Sequence, residues 1–239
     1  DWESTAKADI VYHLAAITFV PTSQSNPRAT YHINVTGTIN ALEFCRLHEA
    51  KLVFASSYVY GNPSYLPVDE KHPVNPTNPY ARSKVAGELL CRAYSADFGV
   101  RCVVLRPFNI FGPGQRGDFL IPEIVQQIRC RDRVTLKDLT PKRDLLYIGD
   151  AVDAYIKAAA YDGAAFDIFN VGYGQSFSVQ EIAEMLIRLS GKKRQLASLD
   201  TKRRGEISET VADIHKAKEL LHWQPVVDIG QGLGEVLKA

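Results

Sequence analysis

The 239-residue chain is 46% hydrophobic and 23% charged, with a formal net charge of +1. This composition is ordinary for a globular protein, and the length suits one large domain, or one and a half, with a sizeable core. A charge so near zero gives no global field to attract nucleic acid or an anionic membrane, so we expect neither partner.

The four cysteines, Cys45, Cys91, Cys102 and Cys130, are widely spaced and form no C-x-x-C pair. This spacing argues against a zinc site or a disulfide framework and suits a reducing cytosol. No apolar run reaches the roughly 18 residues that a membrane span needs, and no signal-peptide pattern is present. We therefore expect a cytoplasmic protein without a metal ion.

Apolar runs in the first half of the chain predict buried strands at residues 9–16, 51–57 and 100–105. Helical spacing predicts helices at 28–49 and 79–98, and residues 17–27 are predicted to form a loop. Alternation of strands and helices predicts a parallel sheet with right-handed crossovers. In such sheets ligands bind outside the carboxyl ends of the strands.

Residues at these strand ends are candidates for a site. The first strand ends in small residues, Ala15 and Ala16, which either let a ligand approach the backbone or simply pack against a helix. The second ends in the hydroxyls of Ser56 and Ser57. Asn34, within the first long predicted helix, has low helix propensity, so we expect it to bond to a loop or ligand, or to lie at the surface.

The predicted helix at 79–98 carries Tyr80 and Lys84 one turn apart on the same face. Asn78 is a suitable N-cap, Pro79 suits the first position, and Gly99 is a plausible C-cap. A tyrosine titrates near 10, and a neighbouring positive charge lowers its pKa. A shift to about 7 would be worth roughly 4 kcal/mol. The pair is therefore an acid/base candidate, although the bare spacing also fits an exposed helix face with a half-buried Tyr.

The second half of the chain alternates less regularly. Helices are predicted at 121–130, 150–160, 178–190 and 216–221, and strands at 134–136 and 166–171, with a further apolar stretch at 145–148. We predict that residues 1–114 form one domain built on the parallel sheet. Residues 115–239 are predicted to form mainly a smaller substrate domain, with some segments returning to the main sheet.

Seven motifs follow one another along the chain: H-L-A-A (13–16), N-V-x-G-T (34–38), S-S-x-V-Y-G (56–61), N-P-Y-x-x-S-K (78–84), R-P-F-N-x-x-G-P (106–113), R-D (143–144) and R-x-G-E (203–206). Each is weak alone, but in this order they resemble the extended short-chain dehydrogenase/reductase family, in its nucleotide-sugar epimerase/dehydratase branch. The resemblance implies an α/β fold with a Rossmann-like doubly wound parallel sheet, truncated at its N-terminus, and a smaller C-terminal α/β substrate domain. Residues 1–114 would form a partial dinucleotide-binding domain, and residues 115–239 would mainly bind the nucleotide sugar.

The resemblance also implies roles for particular residues. Tyr80 would be the acid/base, Lys84 would hold the nicotinamide ribose and depress the Tyr80 pKa, and Ser56 would bond to the reacting sugar oxygen. The implied cofactor contacts are Ala15, Ala16, Asn34, Ser56, Tyr80, Lys84, Pro107 and Phe108. The implied substrate contacts are Asn109, Leu120, Arg143, Arg203 and Glu206. A guanidinium fork matches phosphate oxygens, although these arginines could also be solvated surface charges.

The implied chemistry is reversible hydride transfer between a nucleotide-diphosphate sugar and NAD, with NADP also possible. Dehydratases of this family carry an acidic residue after the strand-end hydroxyl, where this chain has Ser57 and Tyr58. The sequence therefore favours an epimerase like UDP-glucose 4-epimerase over a 4-keto-6-deoxy-sugar reductase, and a 4,6-dehydratase comes third. A non-catalytic nucleotide-binding protein or fragment is a further alternative.

The family's Gly-rich turn, G-x-x-G-x-x-G, cradles the dinucleotide pyrophosphate at a helix N-terminus and is not found in this sequence. The glycines at 112–114 and 230–234 come too late in the chain. The sequence starts at Asp1 and its single methionine is Met185, so we expect a preceding segment of about 50–60 residues by comparison with the family. By analogy we also expect a homodimer.

Overall fold

The computed structural model describes residues 6–201 and 206–239, and its strands and helices alternate along most of the chain. The strands are β1 (Ile10–His13), β2 (Lys51–Ala55), β3 (Cys102–Pro107), β4 (Asn109–Phe111), β5 (Arg133–Leu136), β6 (Lys142–Tyr147), β7 (Phe166–Val171), β8 (Ser176–Ser178) and β9 (Gln195–Ser198). The helices are α1 (Val20–Ser25), α2 (Pro27–Tyr31), α3 (Gly37–His48), α4 (Pro79–Phe98), α5 (Leu120–Cys130), α6 (Ile148–Ala160), α7 (Val179–Leu189), α8 (His215–Leu220) and α9 (Ile229–Lys238).

The main sheet has the strand order β1-β2-β3-β7, and all of its neighbouring strands are parallel. Its central strands are apolar along their length because helices cover both faces; Leu52, Val53 and Phe54 are completely buried. Strand β7 arrives from the second half of the chain and pairs with β3. The predicted α/β fold with a Rossmann-like parallel sheet is confirmed.

Smaller sheets stand beside the main one. Strands β4, β6 and β8 form a three-stranded sheet, and β5 pairs with β9. Around them α5, α7 and α9 bury an apolar cluster that includes Ile124, Leu186 and Leu233. Only Phe108 separates β3 from β4, so the chain passes directly from the main sheet into the smaller one.

Helix α4 begins and ends as predicted. The Asn78 side chain accepts a hydrogen bond of 2.9 Å from the amide of Ala81, and Pro79 fills the first helical position. Gly99 closes the helix in the left-handed region, with φ of 71°. These end signals place Tyr80 in the first turn of the helix.

Two helical regions differ from the predictions. Residues 17–27, predicted as a loop, contain α1, and the predicted helix 28–49 is divided by a π-helical turn at His32–Thr36. Proline is tolerated in a first helical turn, so Pro21 and Pro27 begin short helices rather than ending structure. Helix α9 is absent from the predicted elements because its glycines disfavour helix, but its apolar face is buried against the smaller sheet, which overrides propensity.

Close packing of α4 on β2 predicts a strong effect of Gly87→Ala. A Cβ at position 87 would lie 2.5 Å from Cζ of the buried Phe54. We expect a loss of about 1–3 kcal/mol in the free energy of unfolding, measured by urea titration. Gly234→Ala is the control, because its added Cβ meets no atom within 4 Å and its helical position should gain up to about 1 kcal/mol. Equal effects of the two substitutions would contradict this packing argument.

Candidate active site

The carboxyl ends of β1, β2 and β3 and the first turn of α4 bring most of the predicted site residues together. Ala15 and Ala16 follow β1, and Ser56 and Ser57 follow β2. In parallel strands these ends lie at one edge of the sheet. Ala15 is exposed and Ala16 half-buried, which leaves the backbone there open to a ligand.

The Tyr80 phenol lies half-buried beside the Ser57 hydroxyl. Burial raises the pKa of Tyr80 above its usual value, and the hydrogen bond with Ser57 acts in the opposite direction by favouring the phenolate. The expected lowering of the Tyr80 pKa by Lys84 is therefore wrong for the protein without a bound ligand. The hydroxyl beside the phenol belongs to Ser57, a strand-end candidate in the sequence, whereas the resemblance assigns the contact with the sugar to Ser56.

Lys84 is buried, with 3% of its surface exposed, and its ammonium is directed at the end of β2. Its Nζ donates a hydrogen bond of 2.7 Å to the carbonyl of Ala55 and lies 5.1 Å from the centre of the Phe54 ring. Burial lowers the pKa of Lys84 to about 8. The cation is thus held in an apolar site with two further N–H donors available to a ligand.

The Ser56 hydroxyl does not face the open side of the site, contrary to the expectation for a residue that bonds to the sugar. It donates a hydrogen bond of 2.5 Å to Oε1 of Glu88 in α4, and only 3% of Ser56 is exposed. Glu88 is buried against Arg106 of β3, which explains why the serine turns inward. Ser56 and Ser57 therefore point to different partners.

The Asn34 side chain forms hydrogen bonds within the protein. Its role as a cofactor contact, which the resemblance implies, stays a prediction. Its Oδ1 accepts from the amide of Ile17 at 2.8 Å, and its Nδ2 donates to the Ile17 carbonyl at 3.0 Å and to the Ser83 hydroxyl at 2.8 Å. The amide joins the loop after Ala16 to helix α4. The π-helical turn that contains Asn34 is the kind of local irregularity often found at functional sites.

The two residues expected beside the nicotinamide lie differently in the structure. Pro107 is half-buried at the end of β3, where a ligand can reach it. Phe108 is only 5% exposed and packs edge-on against the Tyr58 ring, with 5.1 Å between ring centres. Phe108 therefore packs in the core beneath the site, and its implied role as a cofactor contact stays a prediction.

Predicted substrate contacts gather around the smaller sheet. Arg143 forms an ion pair with Glu206 and donates to the Ile207 carbonyl at 2.8 Å. The exposed Asn109 donates to the Asp144 carbonyl at 3.0 Å. Leu120 begins α5 and is half-buried against the apolar cluster of that region. Arg203, also predicted as a contact, lies outside the residues that the structure describes.

A family model described as "NAD dependent epimerase/dehydratase family" matches residues 2–172. The chain belongs to the NAD-dependent epimerase/dehydratase family. This is a family of enzymes, and it agrees with the resemblance that the motifs predicted. Solved structures similar to this chain include complexes with NADPH and with NAD.

Relatives within the epimerase/dehydratase family carry out more than one reaction. A UDP-glucuronate 4-epimerase of Thermodesulfobacterium geofontis is 36% identical over 234 residues, covering 96% of this chain and 71% of that protein. A GDP-6-deoxy-D-mannose reductase of Pseudomonas aeruginosa is 32% identical over 241 residues, covering 96% and 79%. The UDP-N-acetylglucosamine 4-epimerase structure from Methanobrevibacter ruminantium, in complex with UDP-N-acetylmuramic acid, matches with a TM-score of 0.93 and 29% identity, covering 100% and 78%.

The site of this family member includes a residue, Glu88, that the sequence prediction does not contain. Ser57 is a strand-end candidate in the sequence, but the resemblance assigns no role to it. Glu88 had a usable signal, since it lies one turn after Lys84 on the helix face that carries Tyr80. Among residues 6–201 and 206–239, no group of His, Cys, Asp or Glu is arranged to hold a metal, and no helix is long and apolar enough to cross a membrane.

Proposed function

We propose that the protein is a nucleotide-sugar 4-epimerase that acts on a UDP-sugar, with Tyr80 as the acid/base. The observation that carries this proposal is that Tyr80 and Lys84 lie one turn apart in α4 and the Lys84 ammonium bonds to the Ala55 carbonyl, directly before Ser56 and Ser57 at the end of β2. The 4-epimerases among the relatives support the reaction, and the nucleotide in two of their names supports UDP.

The residues at this edge fit a nicotinamide dinucleotide. The Lys84 ammonium is buried yet uses one of its three donors on the Ala55 carbonyl, so the other two suit the hydroxyls of a ribose. Ala15, Ala16 and Pro107 are small side chains that are at least partly exposed at the strand ends, where we propose that a flat ring approaches the backbone. We propose that these residues hold NAD, or NADP, and that the bound dinucleotide supplies a reversible hydride acceptor.

In the proposed reaction Tyr80 removes the proton from the sugar 4-hydroxyl as that carbon is oxidised, and later returns it. The Ser57 hydroxyl stabilises the phenolate by donating to it, and the Lys84 charge stabilises negative charge at the same edge. Ser56, which the resemblance implies to be catalytic, is proposed to act indirectly by fixing the end of β2 through its hydrogen bond to Glu88. The 4-keto sugar then presents its other face and is reduced with inverted configuration.

The smaller sheet is proposed to hold the nucleotide diphosphate. Arg143 offers a guanidinium group that suits phosphate oxygens; its Nη2 now pairs with Glu206, and its Nη1 donates to the Ile207 carbonyl. A phosphate that displaces Glu206 leaves its carboxylate available for a ribose hydroxyl. In this proposal the remaining contacts to the substrate come from Asn109, Leu120 and Arg203. Residues 1–114 mainly bind the cofactor, and residues 115–239 mainly bind the substrate. A cytoplasmic homodimer stays a prediction.

Sugar-nucleotide turnover by the full gene product tests this function. The purified protein is incubated with NAD and with UDP-glucose, UDP-galactose, UDP-glucuronate or UDP-N-acetylglucosamine, and products are resolved by chromatography and NMR. Inversion at C4 of one of these sugars is the expected result. A folded protein that binds neither NAD nor any UDP-sugar, and converts none of them, would overturn the proposal and favour the non-catalytic alternative.

The identity to a GDP-6-deoxy-D-mannose reductase makes a keto-sugar reductase the second candidate. A nucleotide-linked 4-keto-6-deoxy sugar with NADPH is therefore included in the same assay. Net consumption of NADPH with that substrate, without inversion of any UDP-sugar, would favour the reductase. A 4,6-dehydratase is disfavoured because Ser57 and Tyr58 supply no carboxylate to expel water.

Arg143→Met is expected to weaken binding of UDP by about 10- to 100-fold, because a charge-assisted bidentate contact is worth roughly 1.5–3 kcal/mol. Isothermal titration calorimetry with UDP measures the change. Arg129→Met is the matched control, because Arg129 is exposed and donates to the carbonyl of Leu237 at the far end of α9. Unchanged UDP affinity in the Arg143 variant would contradict the placement of the diphosphate.

A further inference from the structure

A buried polar network lies directly beneath the proposed catalytic groups. Its members are Ser56, Tyr60, Glu88, Arg106 and Asn170, and each is at most 5% exposed. Arg106 holds both carboxylate oxygens of Glu88, with Nε to Oε1 at 2.9 Å and Nη2 to Oε2 at 2.6 Å. None of these residues contacts the sugar nucleotide in the proposed reaction, so their function needs another explanation.

Fold stability alone is a poor explanation for this ion pair. Taking two charges out of water costs several kcal/mol each, and well-packed apolar residues often serve as well or better. Its position is more informative. Glu88 lies two turns after Tyr80 and one turn after Lys84 on the same helix, and Arg106 lies just before Pro107 at the end of β3. The pair therefore joins the helix and the strand that carry the proposed site.

The pair also holds both ends of the short segment 56–60, which carries Ser57. At one end Glu88 accepts the Ser56 hydroxyl proton at 2.5 Å, while the Ser56 amide donates to the Leu105 carbonyl at 2.8 Å. At the other end Nη1 of Arg106 donates to the Tyr60 hydroxyl at 3.0 Å. One ion pair thus fixes the residues on either side of Ser57 and Tyr58.

The far end of the network ties this segment to β7 and to the following loop. The Tyr60 hydroxyl donates to Oδ1 of Asn170 at 2.5 Å, and Nδ2 of Asn170 donates to the Val68 carbonyl at 2.8 Å. The donors and acceptors of these side chains are therefore used by protein groups, which is how a buried network becomes rigid. A rigid support is what a short hydroxyl side chain needs in order to meet a reacting atom within a few tenths of an ångström.

We propose that the Glu88–Arg106 pair is a positioning clamp for residues 56–60, and that it holds the Ser57 hydroxyl against the Tyr80 phenol. The kinetic part of this inference rests on the proposed function. The structural part does not, because the hydrogen bonds that hold Ser56 to Glu88 and Tyr60 to Arg106 exist without substrate. Glu88 and Arg106 are positioning residues, since neither touches the reacting atoms.

Glu88→Gln tests the clamp, because it keeps the shape of the side chain and removes the charge that grips Arg106 and Ser56. The first measurement is the titration of Tyr80 in the ligand-free protein, followed by NMR of carbon-labelled tyrosine and assigned with Tyr80→Phe. Loss of the Ser57 hydrogen bond is expected to raise the Tyr80 pKa, so that less phenolate forms at a given alkaline pH. The control Asp167→Asn breaks a partly buried ion pair with Lys216 near the amino end of the same sheet.

The second measurement is steady-state kinetics on the substrate that the wild-type enzyme converts. A misplaced hydroxyl is expected to lower kcat by about 10- to 100-fold while KM changes little, as misplacements of about 1 Å do. If Glu88→Gln matches Asp167→Asn in both measurements, the clamp is refuted and the pair is merely structural. If the Tyr80 titration shifts but the wild type converts no substrate, the clamp stands and the proposed function fails.

Tyr60→Phe covers the case in which Glu88→Gln does not fold. It removes only the hydroxyl that Arg106 and Asn170 share, and it leaves the ion pair intact. The expected result is a smaller rise of the Tyr80 pKa and a smaller fall of kcat, both in the same direction. An unchanged Tyr80 titration in folded Tyr60→Phe would refute the clamp at this end of the segment.

Discussion

Replacing Tyr80 with Phe is expected to lower kcat for sugar conversion by about 1,000-fold, within the 100- to 10,000-fold range of general acid–base catalysis. The substitution removes one hydroxyl, and the ring stays half-buried at the first turn of α4. Affinity for UDP is expected to stay within about twofold, because the proposed diphosphate contacts lie around Arg143. Rapid-quench kinetics and calorimetric titration with UDP measure the two quantities separately.

Tyr94→Phe is the matched control for this experiment. It removes a phenol from the same helix, where the Tyr94 hydroxyl donates to Glu43 at 2.7 Å, far along α4 from the proposed site. Its kcat is expected to equal that of the wild type. If Tyr80→Phe keeps wild-type turnover, the acid/base lies elsewhere and the proposed mechanism is wrong.

Replacing Lys84 with Met is expected to abolish measurable turnover and, at the same time, to stabilise the fold at neutral pH. The pKa of Lys84 is lowered from 10.5 to about 8, so keeping it charged in its buried site costs about 3 kcal/mol. Loss of the hydrogen bond to the Ala55 carbonyl destabilises the variant by about 1 kcal/mol and offsets part of this gain. The net expectation is a gain of about 2 kcal/mol in the free energy of unfolding, measured by urea titration at neutral pH.

The pH dependence of this gain has a definite sign. Between the lowered pKa of about 8 and the ordinary value of 10.5, the unfolded wild type binds more protons at this position than the folded wild type. The free energy of unfolding of the wild type therefore rises as the pH increases across this window. As the pH falls through the lowered pKa, the folded protein must bind a proton at the buried Lys84, and that stability is lost. The advantage of Lys84→Met should be largest below that window and should shrink as the pH rises through it.

Lys51→Met serves as the control for the lysine experiment. Lys51 also donates to backbone carbonyls, at Ala159 and Tyr161, but it lies at the amino end of β2, away from the proposed site. Its substitution is expected to leave kcat unchanged. If Lys51→Met lost as much activity as Lys84→Met, the loss would be explained by damage to the sheet and would not support a role of Lys84 in the site.

The helix and strands that carry the site residues are largely predictable from the sequence. Asn78, Pro79 and Gly99 mark the ends of α4 by local chemistry, since each satisfies or tolerates a helix terminus. Continuous apolar runs give the buried strands, and their alternation with helices makes the sheet parallel. Parallel strands bring their carboxyl ends together, so the position of Tyr80 near the serines after β2 follows from the order of the elements.

The directions of the side chains could not be predicted in the same way. Ser56 and Ser57 are neighbours of the same residue type, and the choice between them is made by Glu88, which is 32 residues from Ser56 in sequence. That contact exists only after α4 packs on the sheet. The pKa of Tyr80 likewise depends on burial, which raises it and outweighs the opposite effect of the hydrogen bond with Ser57.

Elements that depend on tertiary packing could not be predicted from local sequence patterns either. Helix α9 contains glycines that disfavour helix in isolation, yet Gly232 lets it approach the ring of Phe111 closely. Strand β7 is predictable as a strand, but its pairing with β3 joins residues more than sixty positions apart. Such pairings depend on the whole arrangement of layers rather than on any short pattern.

The direct connection from β3 to β4 fixes the distance between the proposed cofactor and sugar sites. Pro107 ends the strand on the proposed cofactor side and Asn109 begins the strand on the proposed sugar side, with Phe108 fixed in the core between them. Two residues span at most about 7 Å, so the gap between these two surfaces is set by covalent geometry. A larger or smaller sugar must therefore be accommodated by the outer side chains, because the inner wall cannot open.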